Sequence, residues 1–141
     1  MAQVLYVFDT DTVTFQQSRR PEVLQRLAQV DPASVATTTI TLYEQLRGRL
    51  AVINRQQNEQ MRQIAYQRLQ ETHGYFCRVP VLPFDADAAD VYQTSVRQGL
   101  RIGAQDLRIA AITLSQRATL VTSNRRHFDQ VPGLVIEDWN S

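Results

Sequence analysis

The stretch that most constrains the fold is Arg101–Asn124, RIGAQDLRIAAITLSQRATLVTSN, because it sets a carboxylate at the entrance of an almost wholly apolar helix. Leu107, Ile109, Ala110, Ala111, Ile112 and Leu114 run nearly all round that helix, and an element with no wet face is buried between other layers. Gly103 and Ala104 leave room at its start. Asp106 in its first turn is favoured by the unpaired backbone N–H groups there. The helix leads into a buried-looking strand, Thr119–Thr122, so the acid sits where a sheet opens.

The remaining chain supplies layers to cover that helix. Gln3–Phe8 reads as a buried first strand ending in Asp9-Thr10-Asp11. A short link then leads to a helix starting at Pro21, with Val23, Leu24, Leu27 and Val30 on its apolar stripe and Asp31-Pro32 at its end. Val35–Ile40 is a Thr-rich second strand. Thr41-Leu42-Tyr43-Glu44 has the S/T-x-x-E form of a capping box opening a helix over Thr41–Val52. Asn54–Glu71 carries Met61, Ile64, Ala65 and Leu69 at helical spacing, with Gly74 as its stop. Arg78–Phe84 is a third strand, placed at the sheet margin by Pro80 and Pro83. Asp85 caps a helix carrying Ala88, Ala89, Val91, Tyr92 and Val96, and Gly99 lies beyond its end. After Asn124 the residues Arg125, Arg126, His127 and Phe128 continue a loop, Val131–Leu134 turns, and Val135–Ile136 forms a last strand closed by Trp139. This alternation predicts an α/β fold with a central, mainly parallel sheet, and 141 residues suit one domain, residues 1–141.

Composition narrows the chemistry. All fifteen basic residues are Arg, which excludes Schiff-base and P-loop lysines. It also argues against a signalling receiver domain, which needs a lysine beside its phosphorylated acid. A net charge of +1 gives no overall field to steer a polyanion. Cys77 is alone and is expected to be a buried free thiol, while His73 and His127 are far apart and lack a cysteine pair, which argues against structural zinc. The opening MAQVLYVFD lacks the pattern of a signal peptide and no apolar run reaches membrane-spanning length, so a cytoplasmic protein is expected.

Three acids remain to be weighed together: Asp9 after the first strand, and Glu44 and Asp106 each in a first helical turn. In a parallel sheet those edges face the same side. Converging carboxylates repel one another unless something positive neutralises them. Oxygen donors alone suit Mg²⁺ or Mn²⁺, which polarises phosphoryl oxygen and activates water for attack on a phosphodiester. Glu44 has two readings on spacing alone, a cap for its own helix or a member of this pocket. Acids at strand and helix ends occur in any α/β protein, so the pattern needs a more specific signal.

Four pieces in order supply one: VFDTDTVT, ITLYEQLRG, IGAQDLRIAAITL, and LVTSNRRHF followed by VPGLVIEDW. They resemble the PIN-domain family of metal-dependent ribonucleases and, within it, the VapC toxins of type II toxin–antitoxin pairs. The resemblance implies a three-layer α/β/α sandwich and an acidic metal pocket of Asp9, Glu44 and Asp106 holding Mg²⁺ or Mn²⁺. Asn124 falls where related enzymes carry Asn or a fourth acid, an auxiliary polar group supported by Thr122. It further implies a Mg²⁺-dependent endoribonuclease that cuts structured RNA such as tRNA, forms a homodimer and is neutralised by a VapB-type antitoxin; the alternative is a catalytically silent PIN-like module for RNA binding or assembly. Arg125 and Arg126, just beyond Asn124, are candidate phosphate contacts, with solvated loop charges as the plainer reading. The chain departs from the family pattern at Asp11, a carboxylate near the pocket that either tightens metal binding or caps the following turn, the cap being favoured, and at Gln45, Ile112-Thr113 and His127; His127 is given no proton-transfer role.

Overall fold

A computed structural model describes residues 3–4 and 6–141. Its five short strands are β1 (Tyr6–Phe8), β2 (Val35–Thr38), β3 (Val81–Leu82), β4 (Thr119–Val121) and β5 (Val135–Glu137). They pair in the order β3-β2-β1-β4-β5, every pairing parallel. The helices are α1 (Thr10–Gln17), α2 (Pro21–Leu27), α3 (Thr39–Arg55), α4 (Glu59–Arg78), α5 (Ala86–Arg97), α6 (Ala104–Ser115) and α7 (Arg125–Phe128). This is the three-layer, PIN-like α/β/α sandwich that the sequence predicts.

Alternation along the strands sorts the core into two layers. Val7 and Leu120 face Leu107, Ile109 and Ile112 of α6, with Ile40 and Ala88 from α3 and α5. Their neighbours Phe8 and Val121 face the other way, onto Val13, Val23, Tyr75 and Trp139. Trp139 is 1% exposed, and its ring lies 5.1 Å from that of Tyr6 and 5.3 Å from that of Phe8. Its indole N–H donates to Glu137 Oε1, the oxygen that Arg26 also grips at 2.8 Å.

Several expectations are corrected. The first strand is shorter than Gln3–Phe8, and the Leu5 part of it lies outside the described residues. The expected link before Pro21 contains α1, whose Thr-rich sequence hides a helix made by its cap and by burial of Thr12 and Val13. β2 ends at Thr38, because Thr38 caps α3 by accepting from Thr41 N at 3.1 Å. The helix therefore starts two residues before Thr41, and Thr41-x-x-Glu44 is not a capping box. α4 continues past Gly74 because Thr72 and Tyr75 keep burying its inner face, outweighing a glycine cost of about 1 kcal/mol. That extension turns Cys77 outward, so the thiol is exposed rather than buried. β3 is an edge strand, as its prolines predict. Residues 125–128 form a helical turn instead of a loop.

Trp139→Ala empties the largest fully buried side-chain site, and a loss of about 3–5 kcal/mol is expected in urea unfolding.

Candidate active site

The strand order reverses at β1, with β2 and β3 on one side and β4 and β5 on the other. The crevice at the carboxyl ends of β1 and β4 is thus a topological switch point, where open parallel sheets accept ligands. Asp9 follows β1 directly, while Thr122 and Asn124 follow β4.

Asp9 links strand to helix without a loop. Its backbone N–H donates to Val121 O at 3.2 Å, and its Oδ1 accepts from Thr12 N at 2.9 Å, capping α1. The side chain is buried, 5% exposed, and burial pushes its pKa from 3.8 to about 6 against the opposing hydrogen bonds of Thr122 and Thr12. The Asp11 carboxylate pushes the same way. Among the described residues no basic side chain pairs with Asp9.

Asp106 lies in the first turn of α6, half-buried, and its pKa is also raised, first by burial and then by Asp11, against lowering by His127. Asp11 therefore bears on both Asp9 and Asp106. Of its two readings the cap falls, since Asp9 takes that position and Asp11 stands exposed in the first turn of α1.

Glu44 lies in the second turn of α3 and turns away from its own helix start: its Oε1 accepts from Thr10 Oγ1 at 2.8 Å. The self-capping reading falls. Thr10 follows Asp9 in sequence, so Glu44 is tied to the turn that carries Asp9.

Asn124 N donates to Thr122 Oγ1 at 3.0 Å, which gives Thr122 the supporting place expected of it. His127, given no proton-transfer role from sequence, lies one helical turn onward. Its Nδ1 lies 3.0 Å from Asn124 Nδ2 and 3.7 Å from Asp106 Oδ2. The i, i+3 spacing from Asn124 was the available signal, hidden by reading these residues as a loop. Arg125 and Arg126 are exposed on α7.

Among the described residues no three His, Cys, Asp or Glu side chains close into a metal cage. The arrangement is open: Asp9 and Asp106 are coupled through Asp11, and Glu44 reaches the same turn through Thr10. The donor set fits a hard cation all the same. Asp9 has no basic partner among the described residues, and Mg²⁺ takes one or two carboxylates and keeps water in its other positions.

No family model matches the chain. It is 28% identical over 138 residues to the tRNA(fMet)-specific endonuclease VapC of Salmonella typhimurium, covering 95% of this chain and 97% of that protein. It is 28% identical over 145 residues to ribonuclease VapC2 of Rickettsia felis, covering 97% and 99%. Among solved structures, VapBC-1 from nontypeable Haemophilus influenzae matches with a TM-score of 0.77 at 26% identity, covering 98% of this chain and 100% of that one. The DNA-bound VapBC of Salmonella typhimurium matches with a TM-score of 0.78, covering 97% and 99%, and at 24% identity it speaks for the fold alone.

The raised pKa of Asp9 has a consequence for stability. The folded carboxyl keeps its proton to higher pH than the unfolded one, so stability of the metal-free chain is greatest below about pH 4 as far as Asp9 is concerned, and is lost as pH rises through about 6. Asp9→Asn is expected to exceed wild type by on the order of 2–3 kcal/mol at pH 7.5 and to lose that advantage at pH 4. Urea unfolding in EDTA at the two pH values measures it.

The chain thus has a PIN-like α/β/α fold and is similar along nearly its whole length to proteins named VapC ribonucleases.

Proposed function

We propose that this chain is a metal-dependent endoribonuclease that hydrolyses phosphodiester bonds in structured RNA such as tRNA. The observation that carries the proposal is the buried Asp9 at the β1/β4 switch point, its pKa raised despite its hydrogen bonds, with Asp106 and Asp11 bearing on the same space. Burying a carboxylate carries a desolvation cost that its hydrogen bonds offset only in part, and groups so perturbed cluster at functional sites. The names of the relatives, an endonuclease specific for tRNA(fMet) and a ribonuclease, point the same way.

Asp9, Glu44 and Asp106 would hold Mg²⁺, with Mn²⁺ as a substitute. When bound, the ion supplies charge stabilisation at a phosphoryl oxygen and lowers the pKa of coordinated water. The chain's own residues do the rest. Thr12 N and the Thr122 hydroxyl hold Asp9 in one orientation. Asn124, pinned by Thr122 and facing His127, presents an amide at the rim of the crevice. Arg125 and Arg126, one and two residues beyond Asn124, offer paired N–H donors to the RNA backbone.

A VapB-type antitoxin is the proposed partner, supported by the likeness to VapBC-1 from nontypeable Haemophilus influenzae. A second copy of the chain completes the assembly. The competing reading, a silent PIN-like module, draws on the openness of the acidic site and predicts neither cleavage nor cation binding.

Purified protein incubated with total tRNA is expected to produce discrete fragments in Mg²⁺ or Mn²⁺ and none in EDTA. Asp106→Asn should lower the rate at least 100-fold; cleavage by that variant at the wild-type rate overturns the assignment. Replacing Arg125 and Arg126 together by Ala is expected to raise KM several-fold while leaving kcat near wild type, with a shallower salt dependence of binding. An unchanged KM in the double variant removes both from the RNA contact.

A further inference from the structure

We infer that Thr10 is the positioning residue of the site: it aims the Glu44 carboxylate through a one-way chain of threonine hydroxyls. The inference rests on the reading of Glu44 as a carboxylate that holds the cation.

The direction of the chain follows from hydrogen-bond chemistry. An ionised carboxylate only accepts, so the Thr10 hydroxyl proton points to Glu44 Oε1 at 2.8 Å. Thr10 Oγ1 is then left as an acceptor toward Thr41 Oγ1 at 3.1 Å, and Thr41 must donate. Thr41 in turn receives the hydroxyl of Thr38 at 3.5 Å, the longest link, while Thr38 Oγ1 accepts from Thr41 N. Each hydroxyl has one proton to give, and each gives it forward.

Position adds to direction. Thr38 and Thr41 are 0% exposed, so no water competes at the upstream end. Thr10 is the first residue of α1 and follows Asp9, whose own carboxylate caps that helix. One backbone turn thus fixes Asp9 and, through a side chain, Glu44 on another helix. A half-buried glutamate otherwise has three side-chain torsions to order, a cost the Thr10 hydroxyl removes before any ligand arrives. A mere clamp between α1 and α3 would not need a carboxylate at its end. Gln17 and Gln45 already bridge those helices, amide to amide, at 2.8 and 3.1 Å.

The test compares Thr10→Val, which keeps the shape and removes the hydroxyl, with Thr10→Ser, which keeps the hydroxyl and removes the methyl. Mn²⁺ affinity is read by isothermal titration calorimetry, and cleavage of tRNA by initial rates. Thr10→Val is expected to weaken Mn²⁺ binding and kcat about 10- to 100-fold with KM for RNA unchanged, while Thr10→Ser stays near wild type. In a Glu44→Gln background, Thr10→Val should add no further loss of Mn²⁺ affinity, since the two side chains act as one unit. Thermal melts of each variant separate loss of aim from loss of fold. Wild-type affinity and kcat in Thr10→Val overturn the inference, as does equal loss in Thr10→Ser or an additive loss in the Glu44→Gln background. Absence of both Mn²⁺ binding and cleavage in the wild-type chain sinks the nuclease reading itself, a result distinct from an active wild type beside an unimpaired Thr10→Val.

Discussion

Burial of the Asp9 carboxylate at the end of a central strand is the constraint on which the rest depends. Removal from water pushes this group toward its neutral form, and the Asp11 carboxylate adds to the push. Opposing them are Thr12 N and the Thr122 and Thr12 side chains, which favour the ionised form and hold it in one place. The balance leaves the carboxyl with a pKa of about 6, well above its ordinary value. Natural sequences break local rules of this kind mainly where a site is built.

Threonine chemistry makes that placement affordable. Strand β1 passes to α1 through Asp9 alone, and β2 passes to α3 with no intervening residue, so helix N-termini stand at the sheet edge. Loopless junctions leave strand-end carbonyls to satisfy. Thr37 Oγ1 donates to Phe8 O at 2.8 Å and Thr12 Oγ1 to Val121 O at 2.9 Å, both in the buried layer. Among the described residues no buried side-chain nitrogen or oxygen lacks a partner. Short hydroxyls do this without the volume of an amide, which is why a Thr-rich sequence reads poorly as strand or helix and serves well at the seam between them.

The parts of the fold that were legible share a physical signature. The apolar circumference of α6, Pro21 at the start of α2, Asp85 as a cap, Gly99 in a left-handed turn at φ +72° and the prolines flanking β3 all act within a few residues of themselves. Misreadings came where a distant partner won. Glu44 fits a local capping box, and Thr38 takes the cap while Thr10 takes the carboxylate. Gly74 fits a helix stop, and Tyr75 packed beneath the sheet overrides it. The i, i+3 spacing of His127 from Asn124 means nothing in a loop, and the short helix α7 turns the ring toward Asp106 and Asn124.

The sequence by itself determined the layered α/β architecture and the resemblance that singled out Asp9, Glu44, Asp106 and Asn124, because hydrophobic period, caps and ordered motifs are written in nearby residues. Only the tertiary structure decided how those side chains relate: Asp11 bearing on two other acids, Glu44 tied to the turn after Asp9, and His127 beside Asp106. Charge coupling and hydrogen bonding depend on distances of a few ångströms between elements tens of residues apart. Those distances are set by how the two core layers pack on the sheet, which no local pattern encodes.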